Sequence, residues 1–166
     1  MPQLEASHYL STEGDVLRAS NLYLLHPVNV AVKSLITNGD LYCTSEQSSR
    51  GGCRTDIRWV YRSSQSGQTT NIAVLEFKNT QVLHWADFLP ASTDQQHAQA
   101  KLDDAQEKPK YTHLINNAHL LSKQAKKYCL KLSAPDVAIF DWHAMFVFDF
   151  TGMDEDAYDP VLAKGI

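Results

Sequence analysis

The chain has 166 residues, 43% of them hydrophobic, which is enough to bury one core and too few for two independent ones. Its formal net charge of -4 and pI of about 5.9 do not suit a protein held to nucleic acid mainly by nonspecific attraction to phosphate. Cys43, Cys53 and Cys129 are odd in number and contain no C-x-x-C pair, which argues against a disulfide framework and a thiolate zinc site and for buried or bystander thiols. The run Asn21-Leu22-Tyr23-Leu24-Leu25 falls far short of a membrane span. Met1-Pro2-Gln3-Leu4-Glu5 lacks the basic stretch and apolar region of a secretory leader, so the expected setting is intracellular, cytoplasm or nucleus.

In chain order, Thr12 followed by Glu13 and Asp15 predicts a helix start, with Val16, Leu17, Leu22 and Leu25 as its apolar series. Pro27 is expected to open a second helix, whose Val28, Val32, Leu35 and Ile36 recur at helical spacing before the stop Asn38-Gly39-Asp40. Leu41 to Thr44 predicts a short strand, Ser48 to Gly52 a turn, and Asp56 to Arg62 the returning strand of a hairpin. A polar turn containing Gly67 leads to Asn71-Ile72-Ala73-Val74-Leu75-Glu76-Phe77-Lys78, the most strand-like segment of the chain. From Ser92 to Lys110 the composition is polar, as in a solvated helix or an insertion. Leu114, Ala118, Leu121, Ala125, Tyr128, Cys129 and Leu132 then mark the buried face of a helix, with Lys123, Lys126, Lys127 and Lys131 outside it. Val137 to Trp142 and Ala144 to Phe150 predict two more strands, and nothing after Phe150 suggests a closing element. The expectation is a single α/β domain spanning 1–166, with a central mixed sheet flanked by helices, a core over about 21–150, a polar insertion at about 92–110 and an acidic tail from about 151.

Strand geometry points Glu76 and Lys78 to one face and Leu75 and Phe77 to the other. Two charges ending an apolar strand are expensive to bury unless they meet a metal, a counter-ion or water. The hairpin would bring the carboxylate of Asp56 beside Glu76, and two hard oxygen ligands can share a Mg²⁺ or Mn²⁺ ion. Basic residues near this point, Arg50, Arg54, Arg58 and Arg62, contrast with the terminal acids Asp154, Glu155, Asp156 and Asp159. His84, His113, His119 and His143 show no ligand spacing on a helix and are assigned no metal. Asp141-Trp142-His143 reads most simply as a turn between strands. Trp59, Trp85 and Trp142 could stack on bases, although packing is the commoner role of tryptophan in a small α/β domain.

Thr55-Asp56 followed by Ile72-Ala73-Val74-Leu75-Glu76-Phe77-Lys78 resembles the reduced signature of the PD-(D/E)XK nuclease superfamily, with Thr55 standing where proline is usual. Gln124-Ala125-Lys126-Lys127-Tyr128 is similar to the Q-x-x-x-Y helix motif of the exonuclease-type branch, and four-residue spacing makes Gln124 and Tyr128 neighbours on one helical face. The resemblance implies a restriction-endonuclease-like core and hydrolysis of nucleic-acid phosphodiesters, DNA rather than RNA. It also implies Mg²⁺ or Mn²⁺ held by Asp56, Glu76 and the Phe77 backbone carbonyl, with Lys78 orienting or activating water and Gln124 and Tyr128 positioning substrate or catalytic groups. An acid in the helix before the first strand is frequent in that superfamily, yet Pro27 to Asn38 contains none. Glu46, in the first hairpin, is a further candidate ligand, although a solvent-exposed glutamate explains it more simply. The alternative reading is a nuclease-like fold that binds nucleic acid or a protein without cutting.

Overall fold

The computed structural model describes residues 9–49, 53–152 and 163–165. Helix α1 (Glu13–Ser20) starts at a reciprocal capping box: the Thr12 hydroxyl accepts from the Asp15 amide and the Asp15 carboxylate accepts from the Thr12 amide, each at 3.1 Å, which satisfies two amides that the first turn otherwise leaves open. Pro27 does not separate two helices as expected. A π-helical turn, Asn21–Leu25, joins α1 directly to α2 (His26–Leu35), with right-handed helical dihedrals at both junctions and a bond from the His26 amide back to the Asn21 carbonyl. The widened turn gives the proline ring room that a regular helix would deny it.

The sheet has five main strands and a short sixth. β1 (Gly39–Ser49), β2 (Cys53–Ser63) and β3 (Thr69–Phe77) form an antiparallel meander, and β4 (Asp136–Phe140) lies parallel to β3. β5 (Met145–Asp149) pairs antiparallel to β4, and β6 (Ala163–Gly165) antiparallel to β5. Spatial and chain order coincide. β1 is longer than the predicted Leu41–Thr44, and β6 supplies a closing element that the acidic ending did not suggest. Gly39 opens β1 where no side chain fits, since an added Cβ would collide with the Arg62 carbonyl and the Tyr61 ring. Gly67 takes φ +68 in the turn before β3, a conformation that strains residues bearing a Cβ.

The parallel step from β3 to β4 requires a long crossover. It contains α3 (Trp85–Phe88), a 3-10 turn at Leu89–Ala91, α4 (Ala98–Gln106) and α5 (Asn116–Leu132). The segment read as a polar insertion thus contributes a short helix, of which Ala105 is buried. Helix α5 buries Ala118, Leu121, Ala125, Tyr128 and Leu132 against Val74, Val137, Ile139, Phe146 and Phe148. It ends at Ser133 in the left-handed conformation, and the Asn71 side-chain amide donates to the Leu132 carbonyl that the helix end leaves open.

On the opposite face Val16 and Leu25 pack with Ile57, Leu75 and Phe77. The core therefore begins before residue 21, because Val16 and Ala19 of α1 are buried. The predicted core face of α2 is not used: Val28, Val32 and Leu35 are exposed and the helix buries none of its residues. An apolar groove of about 350 Å³ separates it from the sheet, lined by Val32, Ile36, Leu41, Trp59 and Tyr61 among others, and Trp59 donates its indole N–H to Asn29 Oδ1 at 2.7 Å. Among the described residues, no helix is long and apolar enough to cross a membrane.

Candidate functional site

Antiparallel pairing sets Ile57 opposite Leu75 and Arg58 opposite Val74; one step further in the same register puts Asp56 opposite Glu76. Alternation then divides β3. Leu75 and Phe77 enter the core beneath α1, whereas Glu76 turns toward α5. The half-buried Asp56 accepts the Phe77 amide on Oδ2 at 2.8 Å, which ties the carboxylate to the end of β3. Glu76 is 7% exposed. Its Oε1 accepts from Lys78 Nζ and from Gln124 Nε2, each at 2.8 Å, and the same Gln124 group lies 2.8 Å from the Tyr128 hydroxyl. The four-residue spacing on α5 brings Gln124 and Tyr128 together, and the burial of Tyr128 fixes the face on which they meet.

Glu76 Oε2 is buried and has no hydrogen-bonding partner among the described residues. A desolvated carboxylate oxygen without a donor is costly in a folded protein. Lys78 compensates the charge at the other oxygen, in a pair whose side chains are 17% and 9% exposed, but leaves this one open.

Glu13 joins the group from the first turn of α1. Partial burial is the main cause of a pKa raised above the ordinary glutamate range. Lys78 opposes the rise, Asp56 and Glu76 reinforce it, and Arg54 opposes it weakly. Glu13 lies outside Pro27 to Asn38, the segment in which the sequence leads one to expect a helix acid, because Pro27 does not begin the helix before β1. With α1, the π turn and α2 joined end to end, that helical rod begins at Glu13. The Thr12-x-x-Asp15 capping pattern was the available signal.

Asp56, Glu76, Lys78, Gln124 and Tyr128 thus share one end of β3, while other residues read from the sequence do not. Arg62 pairs with Asp40 and Thr69 at the far end of the hairpin, about 20 Å of extended strand from Asp56, so it does not flank the site as expected. Arg50 and the terminal acids from Asp154 to Asp159 lie outside the described residues, and so does the side chain of Glu46, whose backbone belongs to β1. Lys123, Lys127 and Lys131 are exposed on α5. His119 is buried with no partner for Nδ1 among the described residues, and burial, then Lys123 and Lys110, lowers its pKa. Among the described residues, no three His, Cys, Asp or Glu side chains already converge as a metal site. Asp141 is fully buried and accepts the amides of Leu83, His143 and Ala144 at 2.8, 3.0 and 2.9 Å, which makes it the anchor of the turn between β4 and β5.

No protein-family model, curated protein or solved structure matches the chain.

Proposed function

We propose that the protein is a divalent-metal-dependent nuclease with a restriction-endonuclease-like core, hydrolysing DNA phosphodiester bonds at the end of β3. The observation that carries this reading is Glu76: a buried carboxylate with one oxygen held by Lys78 and Gln124 and the other without a donor among the described residues. A structural carboxylate gains from donors at both oxygens, whereas a ligand needs one left available.

The donor set suits a hard cation. Mg²⁺ binds through one or two carboxylates and keeps several waters, so it does not need three protein carboxylates already in contact. Asp56 and Glu76, with the Phe77 carbonyl, would hold it, and Glu13 is the acid nearest in role to a third ligand. When bound, the ion supplies Lewis acidity, making water a better nucleophile near neutral pH and offsetting charge gathering on the phosphate.

The remaining work falls to the chain's own groups. Lys78 Nζ donates to Glu76 in the resting site and carries further protons with which to meet a phosphate oxygen or orient the attacking water. Gln124 fixes the rotamer of Glu76, and Tyr128 fixes Gln124, so α5 acts as the wall that preorganises the carboxylate. Arg54, whose charge is felt at Glu13, provides positive field on the side of β2.

The test is cleavage of labelled single- and double-stranded DNA with Mn²⁺, Mg²⁺ or EDTA, comparing the protein with its Glu76→Ala variant. Cleavage that requires both metal and Glu76 is the expected result. DNA binding by folded protein with no cleavage under any metal would replace this reading with that of a nuclease-like binding module.

A further inference from the structure

We infer that Trp142 is a stacking platform for an unpaired base, and that the substrate strand is therefore single-stranded DNA or a frayed end. This inference rests on the nuclease reading for its choice of ligand, but on separate residues. β3 and β4 are parallel neighbours, so their C-terminal ends lie at the same edge of the sheet, with Phe77 level with Phe140. The Lys78 amide donates to the Phe140 carbonyl at 2.9 Å. Trp142 is two residues further on, in the turn that follows β4, and is therefore a near neighbour of the Glu76–Lys78 end of β3.

The turn presents this indole under constraint. Trp142 takes φ +76, where the Cβ of an L-residue crowds the backbone and glycine or asparagine is the ordinary occupant. The backbone is held there by Asp141, whose two oxygens accept the amides of Leu83, His143 and Ala144, and by the Asp141 amide donating to the Ala144 carbonyl. Backbone strain kept in place by a saturated network is a recurrent property of functional turns. The indole is 37% exposed. It meets the Phe140 ring edge-on at 6.0 Å, and Phe140 in turn meets Phe77 edge-on at 6.0 Å, so a column of three rings runs from the α1-side core to the surface at the sheet edge where β3 also ends.

The other two tryptophans are committed differently. Trp59 is half-buried and donates its N–H to Asn29. Trp85 is more exposed, at 53%, but its ring is stacked on Phe146 at 5.8 Å on the α5 side, so one of its faces is already covered. In the interior of a duplex each base face is covered by its neighbours, so away from a terminal pair an indole at the reaction edge can stack only on a base that is unpaired. Such stacking is indifferent to sequence, because every base has a π-face.

The test is a fluorescence titration of the full-length chain in EDTA with a short oligothymidylate and with a duplex of the same length. Binding of the single strand is expected to quench indole emission. Trp142→Phe should retain binding and lose most of the quench, and Trp142→Ala should bind roughly tenfold more weakly. Equal quenching in Trp142→Phe, unchanged affinity in Trp142→Ala with Trp142→Phe equally unaffected, or tighter binding of the duplex would each overturn the inference. Cleavage by the wild-type chain in Mn²⁺ reports separately: a Trp142-dependent quench without cleavage overturns the nuclease reading and leaves the platform standing, whereas cleavage without that quench overturns the platform alone.

Discussion

Two buried carboxylates end adjacent parallel strands, and they are finished in opposite ways. Asp141, beyond β4, is fully buried and shares its two oxygens among three backbone amides. Glu76, at the end of β3, has both its donors on one oxygen, and no described residue donates to the other. Both are buried and both are carboxylates, so neither property separates them. Asp141 is satisfied by the backbone it organises, so its work is done once the chain has folded. Glu76 is satisfied on one side only, by Lys78 just past β3 and Gln124 of α5, and no described residue fills its other oxygen.

The sharpest way to break this contrast is to remove the Glu76 charge while keeping its shape. Glu76→Gln should lower metal-dependent cleavage by about a thousandfold or more, as expected when a ligand to the catalytic ion is lost, with a thermal midpoint close to that of the parent. A large loss of stability in that variant would make Glu76 structural after all. Asp141→Ala should behave in the reverse sense. Orphaning three buried amides should reduce unfolding free energy by about 3 kcal/mol in a denaturant titration, and the loss should be nearly the same with and without metal.

Gln124→Ala and Tyr128→Phe should each reduce kcat by about tenfold, because they hold Glu76 in place rather than meet the reacting atoms. Measuring kcat and KM separately checks this, since a substrate-binding role would raise KM instead. Glu13 adds a pH signature. Its pKa is raised, so the folded state holds its proton more tightly than the unfolded chain does. The stability this contributes is present at low pH and is lost as pH rises through the raised value. In the metal-free protein, Glu13→Gln should remove this part of the dependence of stability on pH, read from denaturant titrations in EDTA at several pH values.

The smallest effect expected is at the cap. Thr12→Ala should lower stability by about 1 kcal/mol. It should also weaken the Glu13-dependent part of the stability–pH profile, because the first turn of α1 is what holds that carboxylate within reach of the Lys78 and Asp56 charges.

Much of the site was legible before any coordinates. Period-two alternation is a local property of an extended chain, so the shared face of Glu76 and Lys78 follows from β3 being a strand. The 3.6-residue period likewise assigns Gln124 and Tyr128 to one face of α5 and identifies its buried stripe. The hairpin placed Asp56 near Glu76 because few residues separate the two strands. Glu13 was hidden by Pro27, whose usual effect on a helix was cancelled by the π turn ahead of it. The idle apolar face of α2 was hidden because periodicity records which residues could be buried and not whether another surface reaches them.

By itself, then, the sequence determined the strands and helices whose periods repeat over many residues, and the faces on which Glu76, Lys78, Gln124 and Tyr128 lie. Those features depend on backbone geometry within a few residues. Only the tertiary structure decided that α1 brings Glu13 to the end of β3, that β6 closes the sheet, that Arg62 lies at the wrong end of the hairpin, and that Asp141 is saturated while Glu76 is not. Each of these depends on distances between segments far apart in the chain, which are set by packing the whole sheet against its helices and are not encoded in any local pattern.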